Sequence, residues 1–186
     1  MSFSIEQYRP EHSRRGKKLY LILKPYIKDG MRILDAGCSY APVSHYIYSD
    51  FPKCQVFGFD NNGKVIRELK NRYSRFRWER IDFKQGDDLK DYVITAPEIV
   101  IHTGVNADWS NIWMVHKWLM DSGREPQYVL LETGRRDGYE ICMKVYNRVV
   151  VYYIEHGFKL LDSGQIDHDF AGDCLRDRRY SLLGKS

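Results

Sequence analysis

The sequence contains few cysteines, and their spacing does not suggest a shared site. Cys38, Cys54, Cys142 and Cys174 are the only four among 186 residues, and none of them stands in a C-x-x-C pair. This spacing argues against a structural zinc site and against a disulfide framework. We therefore expect no metal site, and we expect reduced thiols of the kind found in the cytoplasm.

Long apolar runs and a strong charge excess are also missing. No apolar stretch approaches the roughly 20 residues that a membrane-spanning helix needs. Residues 2–18 are polar and basic, unlike the apolar centre of a signal peptide. The net charge of +4 is weak evidence for an anionic partner. We expect one domain with its own core and no membrane contact.

Predicted strands and helices alternate along most of the chain. We predict an N-terminal helix or helix pair within residues 4–28, strands at 31–34, 54–59, 77–81, 98–102, 128–131, 158–163 and 179–183, and helices at 42–49, 65–73, 111–120 and 137–156. Such alternation favours a parallel sheet covered by helices on both faces. Only a loop separates the last two strands, which predicts an antiparallel last strand. The fold class is therefore three-layer α/β with a seven-stranded, mostly parallel sheet.

A turn of small residues links the first strand to the helix that follows it. Asp35 ends the strand, and Gly37, Ser39 and Ala41 follow in the pattern D-x-G-x-S-x-A. A strand that enters a helix through such a turn brings backbone N–H groups close to a ligand, as in nucleotide pockets. The dinucleotide pattern G-x-G-x-x-G is absent, and a carboxylate here would repel a diphosphate. The turn therefore suits a ligand with a cationic end, although any strand-to-helix turn can be rich in small residues.

Asp35 and Gly37 resemble the first motif of the class I, Rossmann-like S-adenosylmethionine-dependent methyltransferases. That motif is an apolar strand followed by D/E-x-G-x-G-x-G, and Ser39 and Ala41 stand where the family usually has glycine. The resemblance covers about residues 30–183. It implies a Rossmann-like fold and S-adenosyl-L-methionine as cofactor. We expect one methyltransferase-like domain over 1–186, with a basic helical extension at 1–30 and the core at 31–186.

Polar side chains end five of the predicted strands. These residues are Asp35, Asp60, Asp82, His102 and Glu132. In parallel α/β sheets, ligands bind beyond the carboxyl ends of the strands, so we expect the five to lie along one edge. Each acid taken alone also has a structural explanation, because Asp is common at helix N-caps and in turns.

The resemblance implies a cofactor role for several of these residues. Asp60 would accept from both ribose hydroxyls, which suits the two oxygens of a carboxylate, and Asn61 would flank the ribose. Asp82 would accept from the adenine amino group, and Phe83 or Ile81 would lie against the ring. Asp35 would lie near the methionine ammonium, where Gly37 leaves space and Ser39 forms part of the turn.

Candidates for chemistry lie at the fourth and fifth strand ends. The tip formed by His102, Thr103 and Gly104 would lie near the methyl group, so His102 is both a cofactor contact and a candidate general base. A purely structural histidine is the competing interpretation. Asp108 and Glu132 are candidates on the substrate side. Basic residues follow the fifth strand and precede the last, where they would form a rim for an anion: Arg135, Arg136, Arg176, Arg178 and Arg179.

We therefore predict methyl transfer from S-adenosylmethionine to a small molecule or an anionic acceptor. RNA is the alternative acceptor, because Arg9, Arg14, Arg15, Lys17 and Lys18 make the N-terminal stretch basic, with tyrosines nearby. The D/N-P-P-Y/F motif of many nucleic-acid N-methyltransferases is absent. A non-catalytic protein that keeps only the fold is another alternative, motivated by Ser39 and Ala41. A nicotinamide-dependent reductase is disfavoured by the missing pyrophosphate turn.

Overall fold

The computed structural model describes residues 13–83, 89–91, 95–103, 109–135, 139–166 and 176–185. Short 3₁₀ turns lie at Lys24–Tyr26 and Leu89–Asp91. In chain order, the helices and strands are α1 (Arg14–Leu23), β1 (Arg32–Ala36), α2 (Ser44–Asp50), β2 (Gln55–Asp60), α3 (Gly63–Arg72), β3 (Arg77–Arg80), β4 (Ile99–Thr103), α4 (Trp109–Asp121), β5 (Tyr128–Arg135), α5 (Tyr139–Glu155), β6 (Phe158–Ile166) and β7 (Arg176–Lys185).

The strands form a single seven-stranded sheet with the order β3-β2-β1-β4-β5-β7-β6. Strands β3, β2, β1, β4 and β5 pair in parallel, while β7 runs antiparallel to both of its neighbours. This confirms the predicted fold class and its antiparallel last strand. The order reverses between β1 and β4, which places a ligand crevice beyond the carboxyl ends of those two strands.

Each face of the sheet has its own hydrophobic core. On one face, Ile33, Ile99 and Ile101 pack with the apolar sides of α1, α2 and α3. On the other face, Leu34 and Val100 pack with α4 and α5. Adjacent residues of β4 thus enter different cores, as expected for a strand buried on both sides.

Three strands at one end of the sheet are longer than the sequence predicts. β5 does not end at Leu131, because Glu132 and Thr133 pair with Tyr180 and Arg179 of β7. Likewise, β6 extends to Ile166, which pairs with Arg178, and β7 begins at Arg176, which pairs with Arg135. Polar residues fill these ladder positions, so alternation of apolar residues did not indicate them.

Helix α1 packs directly on the turn that follows β1. Ser13 caps the helix by accepting a hydrogen bond from the Gly16 amide at 2.8 Å. A Cβ at Gly16 would lie 2.6 Å from the Pro42 carbonyl oxygen, so glycine permits the close approach. Leu19 and Leu23 are fully buried below. None of the described helices combines the length and apolar character needed to cross a membrane.

Candidate functional site

The turn after β1 adopts the conformation of a glycine motif at three alternate residues. Gly37, Ser39 and Ala41 have φ angles of 63°, 45° and 54°. A left-handed conformation costs a non-glycine residue about 1–2 kcal/mol. Two hydrogen bonds fix the turn: the Cys38 amide donates to the Phe59 carbonyl at 2.8 Å, and the Ala41 amide donates to the Cys38 carbonyl at 2.7 Å. Replacement of glycine by serine and alanine therefore leaves the left-handed path of this turn in place.

The turn holds the Asp60 carboxylate at the end of β2. Oδ2 accepts from the Ser39 amide at 3.0 Å, and Oδ1 accepts from the Asn62 amide at 2.9 Å. An ionised carboxylate has about four acceptor positions, so two remain for a ligand's hydroxyl groups. Asn62, rather than Asp60, caps α3 by accepting from the Lys64 and Val65 amides. The helix-cap explanation for Asp60 is therefore wrong.

Asp35 lies on the neighbouring strand and is almost completely buried, with 1% of its surface exposed. The Ser44 hydroxyl donates to Oδ2 at 2.5 Å. Burial is the main cause that raises the pKa of Asp35 to about 7; the bond from Ser44 lowers this pKa, and the charge of Asp60 adds to the rise. The Asp60 charge on the neighbouring strand thus disfavours ionisation of Asp35. A ligand cation placed between them would relieve that repulsion.

Arg80 connects the predicted adenine contacts at the end of β3. Its Nε donates to the Asn61 carbonyl at 3.2 Å, and its Nη2 lies 3.8 Å from Oδ2 of Asp82. Phe83 is partly buried and meets Phe59 edge-to-face at 5.8 Å. The structure therefore brings a carboxylate and an aromatic wall together beside Asp60. This corner has the apolar and acceptor groups that an adenine requires.

His102 is not an exposed base. Its Nδ1 lies 3.0 Å from Nε2 of His116, whose Nδ1 lies 2.8 Å from the Tyr153 hydroxyl. Burial, together with His116, holds the pKa of His102 well below its usual range, and burial lowers that of His116 to about 3. Both rings are neutral at physiological pH. These contacts favour the structural interpretation of His102, and its roles as general base and cofactor contact stay predictions.

Glu132 is held by two arginines in a buried cluster. Its Oε1 accepts from Arg178 at 2.7 Å and its Oε2 from Arg15 at 2.9 Å. Both oxygens of the Glu132 carboxylate are thus occupied by guanidinium groups. The catalytic role of Glu132 stays a prediction, and these contacts favour a structural one. No pattern in the sequence indicates this cluster, because Arg15 and Glu132 are 117 residues apart.

The remaining candidates include exposed, buried and undescribed positions. Arg179 is exposed at the start of β7, while Arg178 is buried. Asp108, Gly104 and Arg136 lie outside the described residues. Within the described ranges, no group of three or more His, Cys, Asp or Glu side chains could hold a metal ion.

Part of the chain is similar in sequence to a methyltransferase family and to one further known protein. A profile of the family described as "Methyltransferase domain" matches residues 27–93. The carboxy-S-adenosyl-L-methionine synthase of Campylobacter hominis is 31% identical over 96 residues, which are 50% of this chain and 39% of that protein. The match thus spans about two fifths of that relative. The family match includes the turn after β1 and Asp60.

Solved structures share the fold along nearly the whole chain. The methyltransferase domain of the bacterial protein CtHen1 superposes with a TM-score of 0.65 at 15% identity, covering 95% of this chain and 99% of that one. The B. subtilis m1A22 tRNA methyltransferase TrmK has a TM-score of 0.61 at 13% identity, covering 94% of this chain and 66% of that one. At these identities the likeness establishes the fold alone.

The glycine-like turn, the acids at the ends of β1 and β2 and the seven-stranded sheet occur together with a sequence match centred on them. Over residues 27–93 the chain is similar in sequence to the methyltransferase-domain family, and its sheet has the Rossmann-like fold of S-adenosylmethionine-dependent methyltransferases.

Proposed function

We propose that this chain binds S-adenosyl-L-methionine along the carboxyl ends of β1, β2 and β3 and transfers its methyl group to an anionic acceptor, most simply a small molecule. The observation that carries the proposal is the oriented carboxylate of Asp60. Two backbone amides, those of Ser39 and Asn62, fix its plane and leave acceptor positions for the two ribose hydroxyls. A carboxylate needed only to cap α3 would not be held in this way.

The other two ends of the cofactor would meet groups suited to them. Asp35 would lie near the methionine ammonium, because a buried acid with a raised pKa gains most from a nearby cation. Asp82 would accept from the adenine amino group while Phe83 covers the ring. Gly37 leaves room beside the turn, since it carries no side chain.

The acceptor would bind beyond β4 and β5. When bound, the cofactor supplies a methyl group already activated by a sulfonium, so the protein must mainly position the acceptor. Arg14, Lys17 and Arg179 are exposed on α1 and at the start of β7, on the side where Arg15 reaches Glu132. Their charge would attract an anion to this side.

Isothermal titration calorimetry tests the cofactor assignment. The wild type should bind S-adenosylmethionine and S-adenosylhomocysteine with micromolar dissociation constants. Asp60→Ala should abolish binding, because the ribose hydroxyls lose their acceptors. The matched control Asp121→Asn alters an exposed ion pair on α4 and should leave affinity unchanged. Binding of NAD(H) without binding of S-adenosylmethionine would overturn the proposal.

A nucleic-acid acceptor is the second candidate. The similar TrmK structure is by its name a tRNA methyltransferase. Strongly basic residues on α3 and β3 also favour it on this chain's own evidence. A chain that binds no S-adenosylmethionine would instead fit the non-catalytic alternative, which Ser39 and Ala41 motivated.

A further inference from the structure

Helix α3 and strand β3 form an exposed basic face at the edge of the sheet. Residues 64–80 contain seven Lys and Arg and two acids, a net charge of +5 in 17 residues, whereas the whole chain has +4. All seven basic side chains are exposed: Lys64, Arg67, Lys70, Arg72, Arg75, Arg77 and Arg80. We call these seven side chains the basic edge.

Nearby acids neutralise only part of this charge. Glu79 lies 3.3 Å from Lys70 and 3.4 Å from Arg77, so one carboxylate is shared by two cations. Asp82 lies 3.8 Å from Arg80. With Asp82 included, residues 64–82 still carry seven basic and three acidic side chains. The basic edge therefore keeps a net positive charge of four.

Folding of α3 does not require this charge. Lys64, Arg67 and Lys70 are spaced three residues apart, so like charges face each other along the helix, which costs a few tenths of a kcal/mol per pair. The first turn contains Lys64 and no acid, although the helix dipole favours acids there. In the last turn the dipole favours Lys70 and Arg72, so only the N-terminal part of this surface opposes the helix, and folding does not explain the basic residues there.

Two of the guanidinium groups lie over aromatic rings. Arg75 lies 4.1 Å from the centre of the Tyr48 ring, and Arg77 lies 5.1 Å from that of Phe57. Stacking fixes the plane of a guanidinium while its N–H edge can still pair with a phosphate. No large hydrophobic side chain within residues 64–80 is exposed. A membrane surface is therefore a poor match, because the face has no apolar group to insert.

The basic edge begins at the proposed cofactor site. Arg80 donates to the Asn61 carbonyl and lies beside Asp82, both predicted cofactor neighbours. β3 is two strands from β1 in the sheet, or about 10 Å at about 4.8 Å per strand. A strand of nucleic acid on the basic edge could cross that distance with one or two nucleotides.

We propose that the basic edge binds the phosphodiester backbone of a single-stranded nucleic acid and delivers one of its nucleotides to the methyl donor. This inference rests on the proposed function, because it names the acceptor for the same site. Single strands fit, since a duplex would not release a nucleotide into the crevice without first unpairing it. Arginine platforms on aromatic rings also suit unpaired bases.

Fluorescence anisotropy with a labelled 12-nucleotide single-stranded RNA of mixed sequence tests this on the full chain. The wild type should bind with a steep salt dependence. The double variant Arg67→Gln/Arg72→Gln removes two contacts, which should lower the slope of log K against log salt by about 1.4 and weaken binding on the order of 20-fold at 0.1 M salt. The matched control Lys144→Gln/Lys159→Gln removes the same charge from exposed positions of α5 and β6 and should bind as the wild type does.

Two additional probes separate the possible outcomes. Single-stranded DNA of the same sequence shows whether the sugar matters, and equal RNA and DNA affinity still supports a backbone surface. Polyglutamate of similar charge that binds as tightly as RNA would overturn the proposal in favour of an acidic protein partner. An RNA affinity unchanged by the α3 variant, or undetectable at 50 mM salt, would also overturn it.

Calorimetry distinguishes failure of nucleic-acid binding by the basic edge from failure of the proposed function. The α3 double variant should retain the wild-type affinity for S-adenosylmethionine, and Asp60→Ala should retain RNA binding. Cofactor binding without RNA binding would refute only the basic edge. RNA binding without cofactor binding would refute the proposed methyl transfer.

Discussion

Replacing Ser39 with glycine should stabilise the protein, which is unusual for a change at a ligand site. Ser39 is exposed with a φ of 45°, so glycine relieves about 1–2 kcal/mol of left-handed strain. The greater conformational freedom of glycine in the unfolded chain offsets about 0.5–1 kcal/mol of this gain in stability. The net gain should be about 0.5–1 kcal/mol. In a chain of this length, that corresponds to a rise in Tm of about 1–4 °C.

Ala41 should behave differently despite a similar φ of 54°. Its methyl group is fully buried, so Ala41→Gly also loses about 0.8 kcal/mol of hydrophobic burial. The relief of strain and these losses nearly cancel, so we expect the free energy of unfolding of Ala41→Gly to be almost unchanged. Comparing the two variants therefore separates backbone strain from side-chain burial.

Chemical denaturation with urea measures both changes through the midpoint at constant slope. Ser49→Gly is the matched control, because Ser49 is an exposed serine within α2. Glycine should destabilise that helix by about 0.5 kcal/mol, opposite in sign to the effect at Ser39. If Ser39→Gly instead lowers the midpoint as much as Ser49→Gly does, the strain argument is incorrect.

Three further predictions concern the buried ionisable groups. Because burial raises the pKa of Asp35 to about 7, its contribution to stability is present below about pH 4 and is lost as pH rises through 7. Affinity for S-adenosylmethionine, measured by calorimetry, should rise from pH 6 to 8 as the carboxylate forms, and Asp35→Asn should flatten this profile; equal profiles would contradict the assignment. His102 and His116 have lowered pKa values, so their imidazole NMR signals should not titrate between pH 5 and 8, and stability should fall on acidification through 6.5, where only the unfolded chain gains these protons. Arg178→Met breaks a buried pair with Glu132 and should cost about 3 kcal/mol in urea denaturation, whereas a loss below about 1 kcal/mol would show that the pair is unimportant.

The sequence was most informative where the backbone pattern is local. Alternating apolar strands and helices predicted the sheet and its antiparallel last strand, because both follow from short-range periodicity and connection length. Asp35 and Asp60 follow apolar runs, so their place at one sheet edge was also predictable. The left-handed angles at Ser39 and Ala41 were not, since neither residue type favours them.

Contacts between distant residues were beyond the sequence. The pairing of Arg15 with Glu132, and of His102 with His116 and Tyr153, depends on how helices dock on the sheet. Without those contacts, His102 and Glu132 resembled free catalytic groups at strand ends. The seven basic residues of the basic edge are close together in the sequence, but only the folded chain shows that all seven side chains are exposed.

A crystal structure of the protein with S-adenosylhomocysteine is the most direct test of the central claim. We predict that the ribose hydroxyls lie within hydrogen-bonding distance of the two Asp60 oxygens, with the amide bonds from Ser39 and Asn62 unchanged. A nucleoside bound elsewhere, or an Asp60 carboxylate turned away from the ribose, would contradict the account.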